Sequence, residues 1–78
     1  MNHLLMNKLS YAQLGVILEM SFAEHKLQPD TRLGQCIFNN AAAYFPDIVD
    51  SLRGSVNDCF YNDNKIHDFI MQILKTEP

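Results

Sequence analysis

Cys36, Cys59, His25 and His67 are the side chains in this sequence best suited to chemistry. A thiolate beside an imidazole makes a nucleophile, and thiolates together with imidazoles bind zinc. Either use requires closely spaced ligands or a third group that orients the pair. The cysteines are far apart, form no Cys-x-x-Cys pair and have no His-rich neighbour. Cys59 and His67 can meet in space, yet no third group is marked out to orient them. The expectation is two reduced core thiols, with no catalytic residue, no metal and no cofactor.

The densest collection of polar and aromatic side chains is LRGSVNDCFYNDNKIHDFI, residues 52–70. Gly54 suits the left-handed residue that ends a helix, and Asn62 or Asp63 suits the start of the next. Between them Phe60 and Tyr61 can anchor the crossing against a core, while Asn57 and Asp58 offer acceptors to turn amides. Arg53 is expected to pair with Asp58 or Asp63. The competing use of the same residues is recognition. Asp47, Asp50, Asp58, Asp63 and Asp68 crowd this half of the chain, with Arg53 and Lys65 the only bases among them. An acidic set around an aromatic fits a basic surface on another protein. Asp58, Tyr61, Asp63 and Asp68 are therefore the candidate protein-binding residues. As surface side chains, Asp58 and Asp63 are expected to be replaceable without loss of stability.

A second candidate surface lies upstream. Arg32, Gln35 and Asn39, with Asn40, are the residue types that read base edges from a recognition helix. Their neighbours are apolar and flanking bases are missing, so the counterion release that drives nucleic-acid binding would be small. A DNA-binding regulator is thus the alternative, and nucleic acid is not the expected partner.

The elements that must position these residues are helical. Ser10 can cap a helix beginning at Tyr11, in which Leu14, Ile17, Leu18 and Phe22 follow the i, i+3, i+4, i+8 spacing of one face. Val16, Met20 and Ala23 broaden that face, which predicts packing on more than one side. With the preceding His-Leu-Leu-Met it is also a candidate homodimer seam. After Pro29, Asp30 is expected to cap a second helix with Leu33, Ile37, Ala41 and Tyr44 inward and Cys36 and Phe38 beside them. Pro46 opens a short third helix ending near Arg53. Ile66, Phe69, Ile70, Ile73 and Leu74 mark a strongly amphipathic last helix. No strand-like alternation of useful length occurs. The expected architecture is all-α: a compact bundle of three longer helices and one short one, spanning residues 10–78 behind an N-terminal extension, residues 1–9.

Composition agrees with a small folded domain. Of 78 residues 47% are apolar, enough for a core and too many for a disordered chain. Nine acids against six bases give a net charge of −3, the wrong sign for a general phosphate binder. Gln13 and Glu19 interrupt the N-terminal apolar run, and no stretch reaches the roughly 18 apolar residues of a membrane span. The expected location is the cytoplasm, without membrane association. Met1 and Met6 are both possible starts.

Residues 31–70 resemble a group of small, mostly uncharacterised bacterial and phage open reading frames. Their recurring pattern is Arg-x-Gly-Gln, Phe-Asn, a Pro, Arg-Gly-Thr, Asp-Pro-Phe-Tyr-x-Asp and Ile-x-x-Phe. The positions that carry it here are Arg32, Gly34, Gln35, Phe38, Asn39, Pro46, Arg53, Gly54, Asp58, Phe60, Tyr61, Asp63, Ile66 and Phe69. Ser55 stands where the pattern has Thr, and Cys59 where it has Pro. The resemblance implies a shared fold and a phage, prophage or mobile-element setting, and it brings no catalytic residues. At the level of architecture alone, an acidic helical domain of this size is similar to small immunity proteins that block nucleases. Together these readings lead to the expectation of a non-enzymatic protein that binds and inhibits a larger host or defence protein.

Overall fold

The computed structural model describes residues 10–75, and the N-terminal extension and both candidate starts lie outside them. Four helices form: α1 (Tyr11–Leu27), α2 (Leu33–Tyr44), α3 (Pro46–Leu52) and α4 (Ile66–Lys75). A 3-10 turn, Asp63–Lys65, leads directly into α4. No strand occurs among the described residues, so the domain is all-α. α2 is the hub, packing on α1, on α3 and on the 3-10 turn, while α4 packs on α3 and on that turn.

The ends of the elements follow from local chemistry. Ser10 and Gln13 form a capping box: the Gln13 amide donates to Ser10 Oγ over 3.1 Å, and the Ser10 amide to Gln13 Oε1 over 3.0 Å. Pro46, which lacks an amide hydrogen, sits in the first turn of α3, where that amide has no helical partner. Gly54, at φ +77°, supplies the left-handed residue after α3. His25 closes the α1–α2 turn, its Nδ1 lying 2.7 Å from the Thr31 carbonyl oxygen. A carbonyl only accepts, so Nδ1 carries the proton in this contact.

The core draws on every helix. Ile17, Ile37, Phe38, Ala41, Phe45, Val49, Leu52, Cys59, Phe69 and Ile73 form one buried cluster, with Leu14, Leu18, Leu33, Ile48, Phe60, Ile66, Ile70 and Leu74 packed around it. All five residues expected to face inward from α4 take part. Phe38 is its centre, stacked on Phe69 with centroids 5.3 Å apart and meeting Phe60 edge-on at 5.6 Å.

Four expectations are corrected. Phe22, placed by spacing on the inner face of α1, is 54% exposed, and Ser21 takes the fully buried site. At 100° per residue Ser21 stays within 40° of Ile17, whereas Phe22 rotates about 140° away. Ser21 is accommodated because Oγ donates to the Ile17 carbonyl over 2.7 Å and accepts from Asn40 Nδ2 over 2.9 Å. Val16 and Ala23 are exposed as well, so α1 packs on α2 along one side only. Tyr44 is half exposed, while Phe38, expected at the edge of the α2 stripe, is fully buried because α2 is covered on two sides. Finally, α2 starts at Leu33 rather than beside Asp30, and its N-cap residue Arg32 makes no side-chain cap.

These placements make two phenylalanines differ sharply. Phe38→Ala is expected to cost about 3–5 kcal/mol, most of the stability of so small a domain. Phe22→Ala is expected to cost no more than about 1 kcal/mol. Urea denaturation followed by circular dichroism measures both; equal losses would mean that Phe22 belongs to the core.

Candidate functional site

The loop between α3 and the 3-10 turn carries the candidates Asp58 and Tyr61 and leads into Asp63, and hydrogen bonds to its backbone dictate its shape. Leaving α3, the Ser55 amide donates to the Leu52 carbonyl over 3.0 Å and Ser55 Oγ donates to the same oxygen over 2.7 Å. The Asp58 carboxylate then takes two amides, Gly54 N–H on Oδ2 at 2.6 Å and Phe60 N–H on Oδ1 at 2.8 Å. One side chain thus ties both ends of the turn, the acceptor role that Asp fills in loops. Asn62 caps the 3-10 turn through a 2.9 Å bond from the Asn64 amide to its Oδ1.

The far end of the loop is fastened to the start of α2. Asp63 Oδ1 accepts the Gly34 amide over 2.8 Å, filling from a distance the capping position that Arg32 leaves empty. A negative carboxylate there also meets the positive end of the α2 dipole. Cys59 Sγ donates to the Gly34 carbonyl over 3.3 Å. A Cβ at Gly34 would overlap the Cys59 carbonyl oxygen and come within 2.9 Å of Asp63 Oδ1, so only glycine permits this approach. Arg32 completes the seam: Nη2 and Nε donate to the Phe60 carbonyl at 3.0 and 3.3 Å, and Nη2 reaches Gln35 Oε1 at 3.4 Å. Its guanidinium lies 5.6 Å from the Tyr61 ring centroid.

The candidate protein-binding residues therefore separate by role. Both Asp58 oxygens and one Asp63 oxygen are occupied by backbone amides, so these two residues hold the loop, and replacing them is not neutral for stability. Tyr61 is 79% exposed, with its ring edge-on to Phe60 at a centroid distance of 4.7 Å. A shallow cleft of about 360 Å³ opens beside it, lined by Arg53, Gly54, Ser55, Asp58, Phe60 and Tyr61. Asp68 stands apart in the first turn of α4, with His67 Nδ1 3.8 Å from its carboxylate. Arg53 pairs with Asp50 at 3.1 Å instead of Asp58 or Asp63, and its guanidinium covers the Phe38 ring at 5.0 Å. The amides had already claimed the acids it was expected to find.

Of the nucleic-acid candidates, Arg32 is committed to the seam. Gln35 reaches Arg32 at 3.4 Å and, with the exposed Asn39, lines a second cleft of about 400 Å³ together with Glu24, Leu27, Gln28, Thr31 and Cys36. Arg32 would have to release the Phe60 carbonyl to reach a base edge.

Both thiols are buried and held toward the protonated form. Burial, followed by the nearby Asp58 charge, pushes Cys59 up to about 12, and burial together with Glu24 and Asp63 also raises Cys36. At neutral pH both are protonated, which removes the nucleophilic and ligating form. Among the described residues no three His, Cys, Asp or Glu side chains converge as a metal site, and no helix is long and apolar enough to cross a membrane. Comparison with protein-family models, with curated proteins and with solved structures finds no match.

Two outcomes are expected from this geometry. Asp58→Ala and Asp63→Ala should each lower stability by about 1–2 kcal/mol, and Gly34→Ala by about 1–3 kcal/mol, in chemical denaturation. Losses below about 0.3 kcal/mol would show that the loop is not held this way. An aromatic disulfide reagent at pH 8 should label Cys59 at least a hundredfold more slowly in the native chain than in denaturant, and Cys36 more slowly as well. Rapid labelling of Cys59 without denaturant would contradict its placement.

Proposed function

We propose that this chain is a non-catalytic protein-interaction module that occupies, and thereby inhibits, a surface on a larger protein, with Tyr61 as its central contact. The observation that carries the reading is an aromatic four-fifths exposed on a loop whose backbone is tied at both ends. Exposing a tyrosine costs hydrophobic stabilisation, and fixing its backbone in advance lowers the entropy lost on binding. Tyrosine and arginine are the residue types most often found at the energetic centres of interfaces. Val56, 77% exposed on the same loop, extends the contact, and Arg53 and the adjoining cleft border it.

In this reading Asp58 and Asp63 act as positioning residues, and their charge adds to the acidic character of the surface without supplying its principal contacts. Asp68, exposed on α4, is available to a basic partner. The resemblance to small phage and bacterial reading frames supports a host or defence protein as the target, met in the cytoplasm of a cell carrying a phage or mobile element.

Affinity capture with tagged protein from the cells that naturally express it provides the test, comparing the wild type with Tyr61→Ala. The wild type should retain one stoichiometric protein. Tyr61→Ala should lose it by at least tenfold, about 1.4 kcal/mol, while the chain stays folded with its melting temperature lowered only by the loss of the Phe60 and Arg32 contacts. A partner held equally by both forms would remove Tyr61 from the interface. An eluate rich in nucleic acid and free of protein would support the DNA-binding alternative through Arg32, Gln35 and Asn39.

A further inference from the structure

The outer face of α1 carries a pattern that complements itself. Glu19, Phe22, Ala23 and Lys26 are all exposed and lie within about 100° of the helix circumference, opposite the side that packs on α2. Their order along the axis is acid, aromatic, small, base, and their spacings of three, one and three are symmetric about the midpoint between Phe22 and Ala23. Glu19 and Lys26 stand about 10 Å apart along the helix, too far to pair with each other, and neither has an ion pair among the described residues. Each charge thus has its complement on a second copy.

We infer that this face is a two-fold docking surface for a second copy of the chain, with two α1 helices crossing antiparallel about the Phe22–Ala23 midpoint. In that register Glu19 of each copy meets Lys26 of the other, while the two Phe22 rings meet across the axis on one side of the contact and the two Ala23 side chains on the other. A parallel arrangement would set Glu19 against Glu19 and Lys26 against Lys26, so charge selects the antiparallel one. Val16, 47% exposed, and Leu27, 83% exposed, flank the contact and enlarge the apolar area that the pairing covers. Such an interface is isologous, so every substitution acts twice.

The test is charge exchange in the full chain, read by sedimentation equilibrium over a concentration series that reaches the millimolar range. The wild type should form a species of twice the 9.0 kDa chain mass. Glu19→Lys and Lys26→Glu should each raise the dimer dissociation constant roughly tenfold or more, because each creates two like-charged pairs. The double variant Glu19→Lys/Lys26→Glu should restore it, while circular dichroism stays constant throughout. Phe22→Asp should leave only monomer. A wild type that remains monomeric at the highest concentration overturns the proposal, leaving the face to residues 1–9 or to a foreign protein. Dimerisation indifferent to the single reversals, or not restored in the double variant, overturns the antiparallel register.

Discussion

The backbone of Gly34 is where the two halves of this chain are joined. Its amide is taken by Asp63, its carbonyl accepts from Cys59, and its Cα lies against the Cys59 carbonyl. Those contacts lock the loop after α3 onto the first turn of α2. Once they are made, Phe60 is delivered to the edge of Phe38, its carbonyl faces Arg32, and Tyr61 has nowhere to go but outward. The position of the candidate contact residue follows from the capping of a helix that cannot cap itself.

That arrangement has an energetic logic suited to a small domain. A chain of this length buries little more than about 60% of its unfolded surface, so irregular backbone left without partners would be hard to sustain. Here carboxylates serve the exposed amides of the loop, and no buried side-chain nitrogen or oxygen among the described residues lacks a partner. The same burial that secures Cys59 in the seam raises its pKa, leaving little thiolate at neutral pH. A loop rich in acids, a thiol and aromatics, which resembles a reactive site when read as composition, is in physical terms a rigid mount.

Much of the fold was legible in the sequence because helix ends and the α4 stripe depend on neighbours close in sequence. Ser10 with Gln13, Pro46, Gly54 and the run Ile66 to Leu74 each announce their roles locally. Long-range capping carries no such signal. Asp63 lies far from Gly34 in sequence, so Asp30, nearer by, looked like the better cap for α2. The spacing of α1 misled for a different reason. Apolar residues surround that helix, leaving periodicity little power to choose a face, and the choice fell to the polar pair Ser21 and Asn40. The glycine-glutamine pair at Gly34 and Gln35 was visible as part of a motif, but its purpose emerged only when Cys59 and Arg32 were seen against it.

Native-state hydrogen exchange, resolved by residue, tests the seam most directly. The account predicts slow exchange at the Gly34, Gly54 and Phe60 amides, although they lie at a helix start and in a loop. It further predicts that Asp63→Ala exposes Gly34 alone, whereas Asp58→Ala exposes Gly54 and Phe60 together. Rapid exchange of all three amides in the wild type would contradict it, because the loop would then be free of α2 and Tyr61 would have no fixed mount.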